Sequence, residues 1–209
     1  VMAYEQQHSM VLTIDARRGR GKSVCLGWFI KALGSKAQHG PAIVTAPSKR
    51  SLNAMMQTST MPSINFYALD ALLTSLPDAG VLIVDEAAAI PLSQLIKLIK
   101  AYKLVVLSST QDGYEGSGQG YRLKLPHIIA SLGRSNKQMT LTQPMRWQAG
   151  DALENFIRSS FLCDVELPNI NHNAFSDSSL ALTYSQVTGA TLAQNQTLLR
   201  QVYGLLMLA

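Results

Sequence analysis

Residues 16–23 read ARRGRGKS, set between the apolar run MVLTI (10–14) and the helix-patterned segment SVCLGWFIKALGSKA (23–37). A small residue, four further residues, then Gly21, Lys22 and Ser23 is the spacing of a phosphate loop, with Ala16 standing where a first glycine is usual. Glycines let successive backbone N–H groups turn toward one anion, and the helix that follows adds the partial positive charge of its N-terminus. In such a loop Lys22 reaches the β- and γ-phosphates and the Ser23 hydroxyl binds Mg²⁺. Strand, loop and helix in this order is the context the motif needs.

Working outward, short apolar or β-branched runs recur at 42–46 (AIVTA), 64–68 (INFYA), 80–84 (GVLIV), 104–109 (LVVLSS) and 139–143 (MTLTQ). Helix-length segments separate them, the rhythm of a parallel sheet with helices on both faces. Val24, Leu26, Phe29, Ile30 and Leu33 fall at helical spacing, as do Leu92, Leu95, Ile96 and Ile99 behind Pro91, which suits a first helical turn. Such stripes are core. The expected fold class is α/β, a P-loop NTPase of RecA-like type. From about residue 168 the composition shifts to PNINHNAFSDSS, a loop or linker.

Three further stretches carry chemistry. GVLIVDE ends an apolar strand in Asp85 and Glu86, 63 residues beyond Lys22, at the strand end where ligands bind in open α/β sheets. Asp85 is placed to hold Mg²⁺ and Glu86 to orient and deprotonate an attacking water, whereas either carboxylate alone also reads as a helix N-cap. LSSTQDGYEGSGQGY (107–121) puts Ser109 and Thr110 at a strand end, within reach of a γ-phosphate, before a glycine-rich connection. QPMRWQAGDALENF carries Arg146, which either reaches the γ-phosphate in cis as a catalytic and nucleotide-binding group or pairs with Asp151 or Glu154.

Composition sets the outer limits. The chain has 209 residues, 47% of them hydrophobic and 15% charged, enough to bury one sizeable core. Its net charge of +5 is local: residues 1–60 hold eight Lys/Arg against Glu5 and Asp15, and the rest is close to neutral. A basic segment of this kind suits polyanions. Cys25 and Cys163 form no CxxC pair, and the four histidines lack metal-ligand spacing, so a reducing, cytoplasmic setting is expected and a zinc site is not. No apolar run approaches the length of a membrane span. The chain does not begin with Met and stops within LLRQVYGLLMLA, which points to a piece of a longer polypeptide.

Taken in order, TIDARRGRGKSVCLG, LIVDEAAAIPLSQL, SSTQDGYEGSGQGYRLKL and QPMRWQAGDALENF resemble the ATP-binding, RecD-helicase-like module of the tRNA(Met) cytidine acetyltransferases, of the bacterial type. The resemblance covers about residues 11–165. It implies an ATPase module (1–167) followed by a linker and the start of an acetyltransferase region (168–209). It also implies a larger enzyme that acetylates N4 of the wobble cytidine of elongator tRNA(Met), with ATP hydrolysis positioning the RNA. Acetyl-CoA is used only by the full-length enzyme, since these 209 residues carry no signature for it. The family's phosphate-loop residues fall on Arg18, Gly19, Arg20, Gly21, Lys22 and Ser23, its metal and water carboxylates on Asp85 and Glu86, and its late phosphate-facing arginine on Arg146. Arg17 and Gln119 depart from the family's usual residues, and the adenine-contacting glutamine lies further upstream than Gln6 or Gln7.

The expected partners are tRNA and the remaining domains of the same enzyme, with no membrane. Two other readings stand beside this one: a nucleotide-gated RNA-binding module with little turnover of its own, and a stand-alone helicase. The last fits less well, because 209 residues provide about one RecA-like lobe.

Overall fold

A computed structural model of the chain describes residues 9–34, 41–47, 52–59, 64–110, 117–163, 165 and 184–206. Gln6, Gln7, the connection 111–116 and most of the expected linker (168–183) lie outside them, as does the Gln119 side chain.

Among the described residues six strands form one sheet: β1 (Met10–Ala16), β2 (Ala42–Thr45), β3 (Ile64–Phe66), β4 (Val81–Val84), β5 (Leu104–Thr110) and β6 (Ser135–Leu141). Their order is β3-β2-β4-β5-β1-β6 and every pairing is parallel. β5 thus separates the strand before the phosphate loop from the strand that leads into Asp85. β4 and the first six residues of β5 are wholly buried, which is why they read as unbroken apolar runs rather than alternating ones.

Side chains of opposite parity feed two cores. On one face Met10, Ile14, Val44, Ile83 and Val106 meet Leu26, Ile30 and Leu33 of α1 (Lys22–Gly34) and Met55 of α2 (Asn53–Ser59). On the other, Val11, Ile43, Leu82, Val84, Val105 and Leu107 meet α3 (Leu69–Ser75), α4 (Leu92–Ala101) and α5 (Ser117–Ser131). Helices therefore cover both faces, and the fold is the expected α/β P-loop architecture of RecA-like type. Val24 and Ile96, placed on the stripes by spacing, are half-buried, and Leu98 joins Leu95 and Ile99 inside.

Three boundaries differ from the sequence reading. β6 starts at Ser135 rather than 139, because its first residues (SNKQ) pair with β1 through backbone while their side chains stay exposed at the sheet edge. Pro91 is the N-cap of α4, not its first turn, because ψ of 134° is extended. The glycine-rich stretch expected as a loop to 121 is helical from Ser117.

The chain divides into two compact units, Val1–Asp151 and Ala152–Ala209. The second holds α6 (Ala152–Ser160), α7 (Gly189–Gln194) and α8 (Gln196–Leu206). Thr188 caps α7 by accepting from Thr191 N at 3.2 Å. Among the described residues no helix is long and apolar enough to cross a membrane.

Candidate functional site

The phosphate loop leaves β1 at Ala16 and becomes α1 at Lys22. Gly19 and Gly21 hold φ at +77° and +78°, a left-handed backbone that costs an L-residue with a side chain about 1 kcal/mol. The Cys25 amide donates to Gly21 O at 2.9 Å, which closes the first helical turn. The first amides of a helix have no partner within it and can serve an anion bound at its N-terminus.

Lys22 Nζ is the centre of the site. It donates to Glu86 Oε1 at 2.6 Å and to Thr110 Oγ1 at 3.0 Å, and stands 3.4 Å from Asp85 Oδ1. Three elements converge there because each of their strands ends at the same edge of the sheet. The Asp85 amide donates to Thr45 O at 2.9 Å, extending the β2–β4 ladder by one residue. Asp85 itself is buried, and its Oδ1 accepts from Ser108 Oγ at 2.5 Å and from the Glu86 amide at 3.1 Å. Glu86 adopts φ 52°, ψ 45°, a turn costly for a non-glycine residue, before the 3-10 turn Ala87–Ala89. In this conformation its carboxylate also accepts from Thr110 Oγ1 at 2.8 Å and from the Thr110 amide at 3.3 Å.

Asp85, Glu86, Thr110 and Ser23 offer oxygen alone, the donor chemistry of a hard divalent cation such as Mg²⁺. Among the described residues no three His, Cys, Asp or Glu gather to hold a metal by themselves. The set therefore fits an ion that takes much of its shell from phosphate oxygens and water, as Mg²⁺ does.

Ser109, grouped with Thr110 by the sequence, faces the other way. Its hydroxyl donates to Asp15 Oδ1 at 2.7 Å, and Gln138 Nε2 donates to Asp15 Oδ2 at 3.1 Å. A strand alternates its side chains, so Ser108 and Thr110 serve the Lys22 face while Ser109 serves the α5 face.

A second set of contacts holds the loop from outside. Arg20 is buried, and its guanidinium donates to Arg18 O at 2.9 Å and Thr142 O at 3.3 Å while lying 5.7 Å from the centroid of Trp147. The Met145 amide donates to Gly19 O at 2.8 Å. The segment following β6 is thus bound to the loop on either side of Arg146, which is itself exposed. Among the described residues Arg146 makes no ion pair with Asp151. Arg18, in the loop, is exposed as well.

Spacing alone missed Ser108, Asp15, Gln138 and Trp147. Strand alternation through LSST carried a signal for Ser108; nothing local announced the other three, whose partners lie on distant elements.

Residues 13–164 match the family described as RNA cytidine acetyltransferase NAT10/TcmA, helicase domain. The tRNA(Met) cytidine acetyltransferase TmcA of Vibrio cholerae serotype O1 is 34% identical over 99% of this chain and 30% of its own length. That of Salmonella typhimurium is 40% identical over 75% of this chain and 22% of its own length. The chain spans less than a third of either curated relative. The solved structure of Pif1 helicase from Candida albicans superposes with a TM-score of 0.44 at 17% identity, over 88% of this chain and 48% of that one.

Proposed function

Because this chain belongs to the NAT10/TcmA helicase-domain family of RNA cytidine acetyltransferases, we propose that it binds and hydrolyses ATP at the Lys22 site, as one module of an enzyme that acetylates the wobble cytidine of elongator tRNA(Met). The observation that carries this reading is the convergence of Lys22 Nζ on Glu86, Thr110 and Asp85 within 3.4 Å.

An incoming triphosphate lies against the amides of the loop and the start of α1. Its γ-phosphate competes with Glu86 for the Lys22 ammonium, a charge-assisted contact. Once Lys22 turns to the phosphate, the Glu86 carboxylate is released to accept a proton. Water oxygen then forms a bond to γ-phosphorus, the bond from γ-phosphorus to the β–γ bridging oxygen breaks, and Glu86 takes the water's proton, giving ADP and phosphate. Thr110 positions Glu86 before this exchange and meets the γ-phosphate after it. Asp85 and Ser23 would hold Mg²⁺, which would neutralise charge at the phosphates. Arg18, Gly19, Arg20 and Gly21 shape the cradle, and Arg146 adds positive charge at the γ-phosphate.

In this reading 1–167 form the ATPase module and 168–209 a linker and the entry to the acetyltransferase region, where acetyl-CoA is used. The enzyme works in the cytoplasm, and ATP turnover positions tRNA for the remaining domains. The test is nucleotide hydrolysis by the chain with and without tRNA, beside Glu86→Gln. Turnover that rises with tRNA and vanishes in the variant is expected; turnover unchanged in Glu86→Gln would refute the assignment. The positive charge of residues 1–60 favours a second reading, a nucleotide-gated RNA-binding module with little turnover alone. Its mark is RNA affinity that falls steeply with salt while nucleotide is bound but not hydrolysed.

A further inference from the structure

The far face of the sheet carries a polar group that the reading above leaves unused. Asp15 is 6% exposed, one residue from the end of β1, and its carboxylate joins β5 through Ser109 and β6 through Gln138. On the same face Tyr121 of α5, 5% exposed, sits in the core with Val11 and Leu107, and among the described residues its hydroxyl meets no hydrogen-bond partner in good geometry. Burial first and then the Asp15 carboxylate push the Tyr121 pKa up, and the Ser109 hydroxyl beside it pulls the other way, so the phenol keeps its proton to donate. A buried donor without a partner is disfavoured, and natural structures keep few of them.

β5 joins this cluster to the nucleotide site residue by residue. Ser108 holds Asp85, Ser109 holds Asp15, and Thr110 holds Glu86 and Lys22. Asp15 pairs with Ser109, and Ala16 with Thr110, in the β1–β5 register. The strand end that meets the γ-phosphate and the strand that leads into the loop are therefore riveted together one residue from the site, on the opposite face.

Resting on the ATP reading, we propose that Asp15 and Tyr121 are positioning residues for γ-phosphate recognition. Asp15 sets the spacing of Lys22 and Thr110 through β1 and β5. When Thr110 is drawn to the phosphate, Ser109 shifts with it and the Tyr121 hydroxyl closes onto the Asp15 carboxylate. The bond gained exists only in the ATP-bound arrangement, so the pair favours ATP over ADP.

The experiment is calorimetric titration of the full 209-residue chain, and of Tyr121→Phe, Asp15→Asn and the double variant, with a non-hydrolysable ATP analogue and with ADP in Mg²⁺. Tyr121→Phe removes one atom and is expected to weaken analogue binding about 3- to 10-fold, the scale of one hydrogen bond. ADP affinity and Tm should not fall. In the Asp15→Asn background the same change should add little, because its acceptor is altered. An unchanged analogue-to-ADP ratio in Tyr121→Phe, or equal weakening of both ligands, would overturn the proposal alone. If Asp15→Asn does not fold, Tyr121→Phe decides by itself. If the unaltered chain binds neither nucleotide, the ATP reading falls and this inference with it.

Discussion

Trp147 and Gly19 are packed so closely that a β-carbon on Gly19 would stand 2.9 Å from Cζ2 and Cζ3 of the Trp147 ring. Gly19 is thus fixed twice, by its φ of +77° and by the indole above it. Gly19→Ala should lower stability by about 1 kcal/mol from the dihedral alone, with a further loss from displacing the ring. Trp147→Ala in the same background returns the second loss and not the first. Urea denaturation of both single variants and the double variant measures this: the two changes should be less than additive. Strict additivity would show that the ring does not bear on the loop.

Lys22 is surrounded by two carboxylates and a hydroxyl, so its removal acts in two directions. Lys22→Ala should cost about 2–4 kcal/mol of ATP affinity, the range of a charge-assisted contact in a shielded site. It also leaves Asp85, buried, without its cation, so the free chain should lose stability as well. Glu86→Gln differs: it weakens the partner that competes for Lys22, so ATP affinity should hold or rise while turnover is lost. Equilibrium binding with a fluorescent ATP analogue separates the two variants.

What the sequence disclosed and what it hid divide along a physical line. The loop ARRGRGKS was legible as a turn from strand to helix because its glycine φ angles and the helix start fall within eight consecutive residues. β4 was legible because burial on both faces leaves an unbroken apolar run, VLIV. The start of β6 was not, since an edge strand keeps its ladder with exposed SNKQ side chains and gives no hydrophobic signal. The Trp147–Gly19 contact and the Asp15–Gln138 bond join residues more than a hundred positions apart, and no local pattern encodes them. Ser109 shows the opposite case: strand alternation was available in LSST, and it separates Ser109 from Thr110.

Ser108 and Ser109 differ by one position and serve opposite faces, so equal substitutions should have unequal effects. Ser108→Ala removes the hydroxyl that orients Asp85 Oδ1. It should raise the Mg²⁺ concentration needed for half-maximal ATP binding, on the order of tenfold for the loss of a partner to a ligating carboxylate. Ser109→Ala should leave that requirement unchanged and lower stability by about 1 kcal/mol, because Asp15 loses one of its two side-chain hydrogen bonds among the described residues. Magnesium titrations of nucleotide binding, read beside denaturation curves, would contradict this if both variants behaved alike.

Stability should also depend on alkaline pH through Tyr121. Its folded-state pKa is raised, first by burial and then by Asp15, above the ordinary tyrosine value of 10.0. Below that value the phenol is protonated in both folded and unfolded chains, and the contribution is fully present. Above it the unfolded chain releases a proton that the folded chain retains, so the unfolded state binds fewer protons and stability falls as pH rises. Tyr102 is raised too, by burial and then by Tyr67 and Asp78, and adds in the same sense. Denaturation at about pH 8 and about pH 11 should therefore show a smaller loss in Tyr121→Phe than in the unaltered chain, the difference isolating the contribution of Tyr121. Parallel losses in the two proteins would mean that the Tyr121 phenol ionises in the folded chain as readily as in the unfolded one, and that α5 does not seal it against the sheet.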